Sequence, residues 1–205
     1  MMIKQEKEGA GFTPERVNAL SDGIFAIILT IMVLELKKPE EATFAALFKL
    51  WPTWISYAVS YLFIAIVWIN HHYVLRHAGI ASLRLIWANF LHLFTVSLIP
   101  FLTVWVAETK LAAIPVAMYA VVFLLVNVTY LALVWEIMCT NMNTRKPDPA
   151  RRFLHIRSFI TIFLFAFAAA VSFLYPLLGF GIICCCLLLY LKPDWSGIKD
   201  VMKRK

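Results

Sequence analysis

The fold of this chain is decided by one stretch, Arg16-Val-Asn-Ala-Leu-Ser-Asp-Gly-Ile-Phe-Ala-Ile-Ile-Leu-Thr-Ile-Met-Val-Leu-Glu35. It has the composition of a membrane-spanning helix, yet it carries two carboxylates, Asp22 and Glu35, with only 12 uncharged residues between them. Those residues cover about 18 Å of helix, whereas the hydrocarbon core of a bilayer is about 30 Å thick. At least one carboxylate is therefore expected at membrane depth, where ionisable groups usually face a bundle interior or a water-filled path. The pattern predicts a central helix rather than a lipid-facing one, which favours a role in transport.

The composition is that of a membrane protein. The 205 residues are 62% hydrophobic and 15% charged, with a mean hydropathy of +0.80, and apolar runs long enough to cross a bilayer recur along the chain. This length suits a single helical membrane domain covering residues 1–205. The net charge of +7 does not indicate nucleic-acid binding, because the basic residues lie at predicted helix ends rather than along one face.

Six membrane-spanning helices fit the apolar runs best, which makes the protein an all-α polytopic membrane protein. The predicted spans are 14–36, 53–75, 82–107, 112–138, 151–174 and a sixth that follows the Tyr175-Pro176 turn and ends near Leu191. The first span begins at Thr13-Pro14, a favourable N-cap and N1 pair. A short amphipathic segment at 42–50 precedes the second span, Pro100 lies inside the third, and Thr140–Pro149 is the longest polar loop.

The distribution of basic residues sets the orientation. Residues 158–191 form an uncharged run of 34 residues, which fits either two short spans or one overlong helix. With six spans and both termini cytosolic, 15 of the 19 basic residues lie on the cytosolic side, and four lie outside: Lys37, Lys38, Lys49 and Lys110. Cytosolic loops are normally enriched in Lys and Arg. A five-span arrangement would place the basic C-terminal tail outside, so six spans are favoured.

This topology brings several polar residues to the cytosolic side of the bundle. They are Ser21 and Asp22 on the first span, His71 and His72 on the second and Asn89 on the third, with Arg16 less than two turns before Asp22. Each would be costly alone in lipid, whereas together they can satisfy one another. Two interpretations remain open: interhelical hydrogen bonds that hold the bundle together, or a direct role in binding protons or ions.

The sequence gives little support for metal binding, haem binding or enzyme activity. Adjacent histidines point about 100° apart on a helix, so His71 and His72 do not form an i, i+4 metal pair. A haem ligand pair made of His71 or His72 with His92 or His155 shows no recognisable pattern. The chain also lacks hydrolase, phosphate-loop and zinc-protease motifs, so no enzyme activity and no cofactor are predicted.

A candidate pore lining follows helical spacing on the first span. Ile27, Thr30, Ile31 and Leu34 are spaced i, i+3, i+4, i+7 and share one face. Around a symmetry axis they would form stacked apolar rings with one hydroxyl layer, and apolar rings gate by closure and dewetting. Packing in the helix core is the alternative, because nearly every face of this helix is apolar.

The first helix also resembles a known signature. Arg-x3-Leu-Ser-Asp at residues 16–22, followed by Ala26-Ile27, Thr30 and Leu34-Glu35, is similar to the first helix of the bacterial relatives of an endosomal/lysosomal potassium channel, transmembrane protein 175. Leu20 departs from the family pattern, in which phenylalanine is usual. The resemblance covers the first helix closely and extends to the span count and to polar positions such as His71 and Asn89.

The resemblance implies a homotetramer of six-span chains around one pore lined by the first helix. Ile27 would be the main constriction, Thr30 would influence cation preference, and Ile31 and Leu34 would continue the lining. Ser21 and Asp22 would hold the helices together rather than contact ions. The expected function is passive conduction of potassium and other monovalent cations across a bacterial inner membrane. The alternative is a proton-coupled secondary transporter that uses Asp22 with His71 or His72.

Overall fold

The computed structural model describes the backbone of residues 13–140 and 149–190, and the side chains of residues 13–139 and 158–188. Apart from its two ends, the loop predicted from Thr140 to Pro149 lies outside the described residues. Both tails that were predicted to be cytosolic also lie outside them.

The described residues form an all-α fold, as predicted. The helices are α1 (Pro14–Leu34), α2 (Phe44–Lys49), α3 (Trp51–Leu75), α4 (Leu83–Ser97), α5 (Ile99–Glu108), α6 (Ala113–Thr140), α7 (Pro149–Ser172) and α8 (Pro176–Tyr190). Within the described residues, four helical segments are long and apolar enough to cross a membrane: Pro14–Leu34, Trp51–Leu75, Leu83–Glu108 and Ala113–Cys139. The apolar parts of the last two helices, Ser158–Ser172 and Pro176–Leu188, are shorter.

The predicted start of α1 is confirmed. Thr13 has extended backbone angles, and its hydroxyl oxygen accepts a hydrogen bond from the Arg16 amide at 3.4 Å, while Pro14 occupies the first helical position. Because the first amides of a helix lack partners within it, this cap satisfies one of them. The helix therefore begins before the carboxylate at Asp22.

The third predicted span is interrupted near Pro100. α4 ends at Ser97, Leu98 lies between the helices, and α5 begins at Ile99 with Pro100 in its first turn. Proline has no amide hydrogen and its ring clashes with the carbonyl of the preceding turn, so a continuous helix is disfavoured at this point. The C-terminal part of the predicted span is thus a separate helix.

The uncharged C-terminal run folds into two helices, α7 and α8, as the Tyr175-Pro176 turn predicted. They approach closely at Gly179, where an added Cβ would lie 2.0 Å from Ser172 Oγ. Only glycine leaves room for this contact. α8 has 15 residues, or about 22 Å of helix, which is less than the thickness of a typical hydrocarbon core.

The main buried core takes residues from α1 and from every helix between α3 and α8. The rings of Phe63 and Phe123 stack with centroids 3.8 Å apart, and Phe165 packs edge-on against Phe123 at 5.6 Å. Beside them α1 packs on α3, α4 and α5, using five buried residues along one face: Val17, Ser21, Phe25, Ile28 and Met32. The first helix is therefore attached to the bundle by a single face.

Candidate functional site

The opposite face of α1 carries the predicted stripe. Ile27, Ile31 and Leu34 are 57%, 44% and 79% exposed, and Thr30 is exposed beside them. These residues therefore do not pack in the core of their own chain. Such exposure is required of side chains that line a shared pore, and it is equally compatible with contacts to lipid or to another subunit.

Thr30 supplies a hydroxyl within this apolar face. Its Oγ1 donates to the carbonyl oxygen of Ala26 or Ile27, each at 2.9 Å. This bond uses the hydroxyl hydrogen and leaves the oxygen lone pairs free to accept. Oxygen lone pairs are the ligands that replace water around an alkali cation.

A groove of about 570 Å³ runs beside the stripe, between α1 and the α4–α5 span. Its wall contains Ile27 and Ile31 from the stripe, and Pro100 and Phe101 from α5. Glu35 lies at the end where α1 terminates. The groove is mainly apolar with one carboxylate.

The loop that leaves α1 is tied to the end of α5. Lys37 Nζ donates to Glu108 Oε1, and both side chains are exposed. The hydrogen bond and the negative charge of Glu108 raise the pKa of Lys37. This ion pair joins the two helices that border the groove.

Three predicted polar residues form a buried chain near the other end of α1. Asn89 Nδ2 donates to Ser21 Oγ at 2.9 Å, and His71 Nε2 lies 2.7 Å from Asn89 Oδ1. All three side chains are at most 1% exposed. Polar groups buried in a bundle are costly unless paired. These hydrogen bonds therefore fix α1 against α3 and α4.

Asp22 is half-buried and belongs to a second group. Trp68 Nε1 donates to Asp22 Oδ1 at 2.8 Å, and Asn18 Nδ2 donates to Asp22 Oδ2 at 3.1 Å. Asn18 Nδ2 also lies 3.2 Å from His72 Nδ1, which is 3.5 Å from Asp22 Oδ1. The carboxylate is therefore held by α1 and α3 together.

Arg16 is exposed, and within the described residues no hydrogen bond or ion pair joins its guanidinium to Asp22. Asn18 and Trp68 were not singled out from the sequence. Asn18 lies one turn before Asp22, and this i, i+4 spacing is a signal that could have found it. Trp68 carries no comparable signal, because a tryptophan in an apolar helix normally indicates packing or an interface.

The chain is similar to known potassium channels. The family model described as Endosomal/lysosomal potassium channel TMEM175 matches residues 16–100, a range that contains both polar groups and the stripe. A potassium channel of Chryseobacterium sp. (strain P1-3) is 33% identical over 183 residues, covering 89% of this chain and 94% of that protein. A potassium channel of Streptomyces collinus is 33% identical over 152 residues, covering 69% of this chain and 74% of that protein.

A solved structure has the same fold. The crystal structure of a lysosomal potassium-selective channel TMEM175 homolog from Chamaesiphon minutus matches with a TM-score of 0.74 and 26% identity, covering 87% of this chain and 96% of that one.

The long apolar helices and the polar groups that join them define an α-helical multi-pass membrane protein. Its relatives along most of the chain are bacterial channels. The chain belongs to the TMEM175 family. It is therefore a member of an ion-channel family and not an enzyme.

Proposed function

We propose that this protein conducts potassium passively through a pore shared by four copies of the chain and lined by α1. The observation that carries the proposal is the division of α1 into two faces. One face is buried and anchored through Ser21, whereas Ile27, Thr30, Ile31 and Leu34 are exposed on the other. The potassium channels among its relatives support the choice of ion.

In this proposal the whole chain, residues 1–205, is one membrane domain with six spans and cytosolic termini, located in a bacterial inner membrane. The exclusion of most basic residues from the outer side supports the orientation. α8 is short for a full crossing, and a short span is accommodated by local bilayer thinning at a modest cost.

Each residue of the stripe has a proposed role. Ile27 forms the narrowest ring and the gate, Ile31 and Leu34 extend the apolar lining, and Thr30 offers oxygen ligands to a partly dehydrated cation. Glu35 lies at the outer mouth, where its negative charge raises the local concentration of cations. No cofactor takes part, and the partners are the bilayer, the permeating monovalent cations and three further copies of the chain.

The polar groups at the cytosolic end have a structural role in this proposal. Two sets of hydrogen bonds set the position of α1 against α3 and α4. One set links His71, Asn89 and Ser21, and the other surrounds Asp22. Arg16 is exposed less than two turns before Asp22 and is available to a neighbouring subunit. In this role the groups hold helices rather than contact ions.

Proton-coupled transport is the alternative, and one observation favours it. His72 Nδ1 lies 3.5 Å from Asp22 Oδ1, a distance that allows a proton-dependent ion pair. His71 points instead to Asn89. A channel passes potassium down its gradient with no proton gradient, whereas a coupled transporter requires proton movement.

Potassium flux into proteoliposomes of purified protein tests the proposal. With proton gradients collapsed by a protonophore, we expect flux to persist, and Ile27→Asn should increase it because a polar ring wets the constriction. The matched control is Ile69→Asn on α3, since Ile69 is 58% exposed and Ile27 is 57% exposed. A strict requirement for proton counter-flow would refute passive conduction, and equal effects of the two variants would remove Ile27 from the gate.

A further inference from the structure

One surface of the molecule is not used by conduction along α1. It is α2, the six-residue helix from Phe44 to Lys49 in the connection between α1 and α3. All six residues are described, and none of them is buried. Phe44 and Phe48 are 81% and 74% exposed. Adjoining exposed apolar side chains of this kind indicate an interaction site rather than a surface that faces water.

α2 has two chemically different faces. Successive residues on a helix are about 100° apart, so Phe44, Leu47 and Phe48 share one side, the apolar arc, and all three are exposed. Lys49 falls on the opposite side and is exposed as well. The helix is capped by Thr43, whose Oγ1 accepts a hydrogen bond from a backbone amide of the first turn at 3.2 Å. A helix of this length is marginal in water on its own, so a partner for the apolar arc would stabilise it.

Exposed apolar side chains continue from the apolar arc onto α3. Trp51 and Trp54 lie at the start of α3, and Leu62 lies about three turns farther along. All three are exposed. α3 is long and apolar enough to cross a membrane. The exposed surface of α2 is therefore continuous with that of a membrane span.

Helix lengths place α2 at the boundary of the hydrocarbon core. α3 has 25 residues and α1 has 21, which are about 38 Å and about 32 Å of helix, against about 30 Å of hydrocarbon in a bilayer. Because each helix is just long enough to cross and the two pack together, the end of α1 and the start of α3 lie near the same boundary. The loop between them carries the exposed charged residues Lys38, Glu40 and Glu41, which require water or headgroups. α2 follows this loop directly and is thus level with the headgroups.

Two partners suit an apolar arc at this depth, namely the lipid of the bilayer and a second copy of the chain. The arc contributes three residues, whereas a stable protein interface takes about 20–30 residues from each side. Lys49 adjoins the arc in sequence, and Lys is depleted at protein interfaces. Lys on one face with Phe and Leu on the other is instead typical of helices that lie in the headgroup layer. Trp51 and Trp54 also favour lipid, since Trp is enriched at both surfaces of a membrane.

We propose that α2 is a lipid-binding helix that lies in the headgroup layer of the bilayer. Its apolar arc contacts the first carbons of the acyl chains, at a depth of about 5–10 Å in the boundary between headgroups and chains. Lys49 is directed to the lipid phosphates and water. α2 thus holds the connection between α1 and α3 at the membrane surface. The inference requires that α1 and α3 cross the membrane, and it does not depend on conduction.

The depth of attached fluorophores tests this placement. In a background with the four native cysteines replaced, Phe48→Cys labels the apolar arc, Glu41→Cys labels the charged loop and Leu62→Cys labels α3. Leu62 lies about 16 Å along the helix from Trp51, which places it near the bilayer centre. Each labelled protein is reconstituted into vesicles of phosphatidylcholine and phosphatidylglycerol whose acyl chains carry a quencher either near the headgroup or near the methyl end. Iodide serves as the quencher in water.

The Phe48→Cys label should be quenched more strongly by the shallow lipid quencher than by the deep one, and the Leu62→Cys label should show the reverse order. Iodide should quench the Glu41→Cys label most. Lys49→Cys is the matched control on the opposite face of α2. Its label should be quenched more by iodide, and less by lipid, than the Phe48→Cys label.

Three results would overturn the proposal. Equal iodide quenching at Phe48→Cys and Glu41→Cys, without quenching by lipid, would place α2 in water. Protection of the Phe48→Cys label from both iodide and lipid would mean that a second copy covers the apolar arc. A preference for the deep quencher, as at Leu62→Cys, would place α2 inside the hydrocarbon.

A second position guards against a variant that fails to fold. Phe44→Cys lies on the same arc and should give the same order of quenching as Phe48→Cys, with folding of each variant checked by its elution from a sizing column. Opposite orders at the two positions would also overturn the proposal. Absence of potassium flux from the same vesicles would refute conduction and leave this inference standing.

Discussion

Replacement of Ser21 by alanine measures what the link between α1 and α4 contributes to stability. Ser21 is fully buried, and it accepts a 2.9 Å hydrogen bond from Asn89 Nδ2. Alanine leaves that amide hydrogen without an acceptor, a loss of about 1–3 kcal/mol in a buried site. Interhelical hydrogen bonds in membranes average nearer ~0.6 kcal/mol because the unfolded state also finds partners. The expected destabilisation is therefore about 1–2 kcal/mol.

Thermal unfolding of the protein in detergent is the assay. A loss of this size corresponds to a fall in Tm of roughly 2–8 °C for a chain of this length. Ser97→Ala is the matched control, because Ser97 is exposed and its hydroxyl donates within α4 to the Phe94 carbonyl at 2.7 Å. It should change the stability by less than about 0.5 kcal/mol. Equal Tm values for the two variants would refute the reasoning.

A double-mutant cycle tests the same link more specifically. Asn89→Ala removes the other partner and also leaves His71 Nε2 without its acceptor. If the two residues act through one hydrogen bond, the effects of Ser21→Ala and Asn89→Ala should be non-additive by about 0.5–1.5 kcal/mol. Additive effects would mean that the bond contributes nothing measurable to stability.

Three further substitutions test separate parts of the molecule. Thr30→Ala should preserve folding, because the Thr30 hydroxyl bonds only to its own helix. It should lower the potassium-over-sodium preference in bilayer recordings. Unaltered selectivity would remove Thr30 from the mechanism. Asp22→Ala should reduce the tetramer fraction on a sizing column, whereas a stable tetramer with altered current would indicate direct ion contact. Gly179→Ala should lower the unfolding free energy by about 1–3 kcal/mol, because the new Cβ would meet Ser172 Oγ. Gly181→Ala is its control, since a Cβ there meets no atom within 4 Å, and equal stability of the two variants would contradict the close approach of α7 and α8.

Two features could be predicted from the sequence: where the helices lie, and which polar residues of different helices lie at the same depth in the bundle. Apolar runs, the Thr13 cap and the Tyr175-Pro176 turn mark where helices begin and end, because unpaired backbone groups must be satisfied at those points. Because successive spans run in opposite directions, Ser21, His71 and Asn89 are then expected at the same depth in the bundle. The structure joins these three in one hydrogen-bonded chain.

The rotation of each helix about its axis could not be predicted. In a helix that is apolar on nearly every face, periodicity does not distinguish the buried side from the exposed one. Adjacent residues differ by about 100°, so the choice between His71 and His72 as the partner of Asn89 depends on that rotation. The Trp68–Asp22 bond and the stacking of His71 on His92 depend on it as well.

Disulfide cross-linking at Ile27 tests the shared α1-lined pore most directly. In a background with the four native cysteines replaced, Ile27→Cys and Ile69→Cys introduce thiols at positions of nearly equal exposure on α1 and α3. If α1 surrounds a common axis, oxidation should link Ile27→Cys subunits into dimers and reduce potassium flux, whereas Ile69→Cys subunits should remain unlinked and conducting. Unlinked Ile27→Cys subunits whose potassium flux is unchanged by oxidation would contradict a pore lined by the first helix.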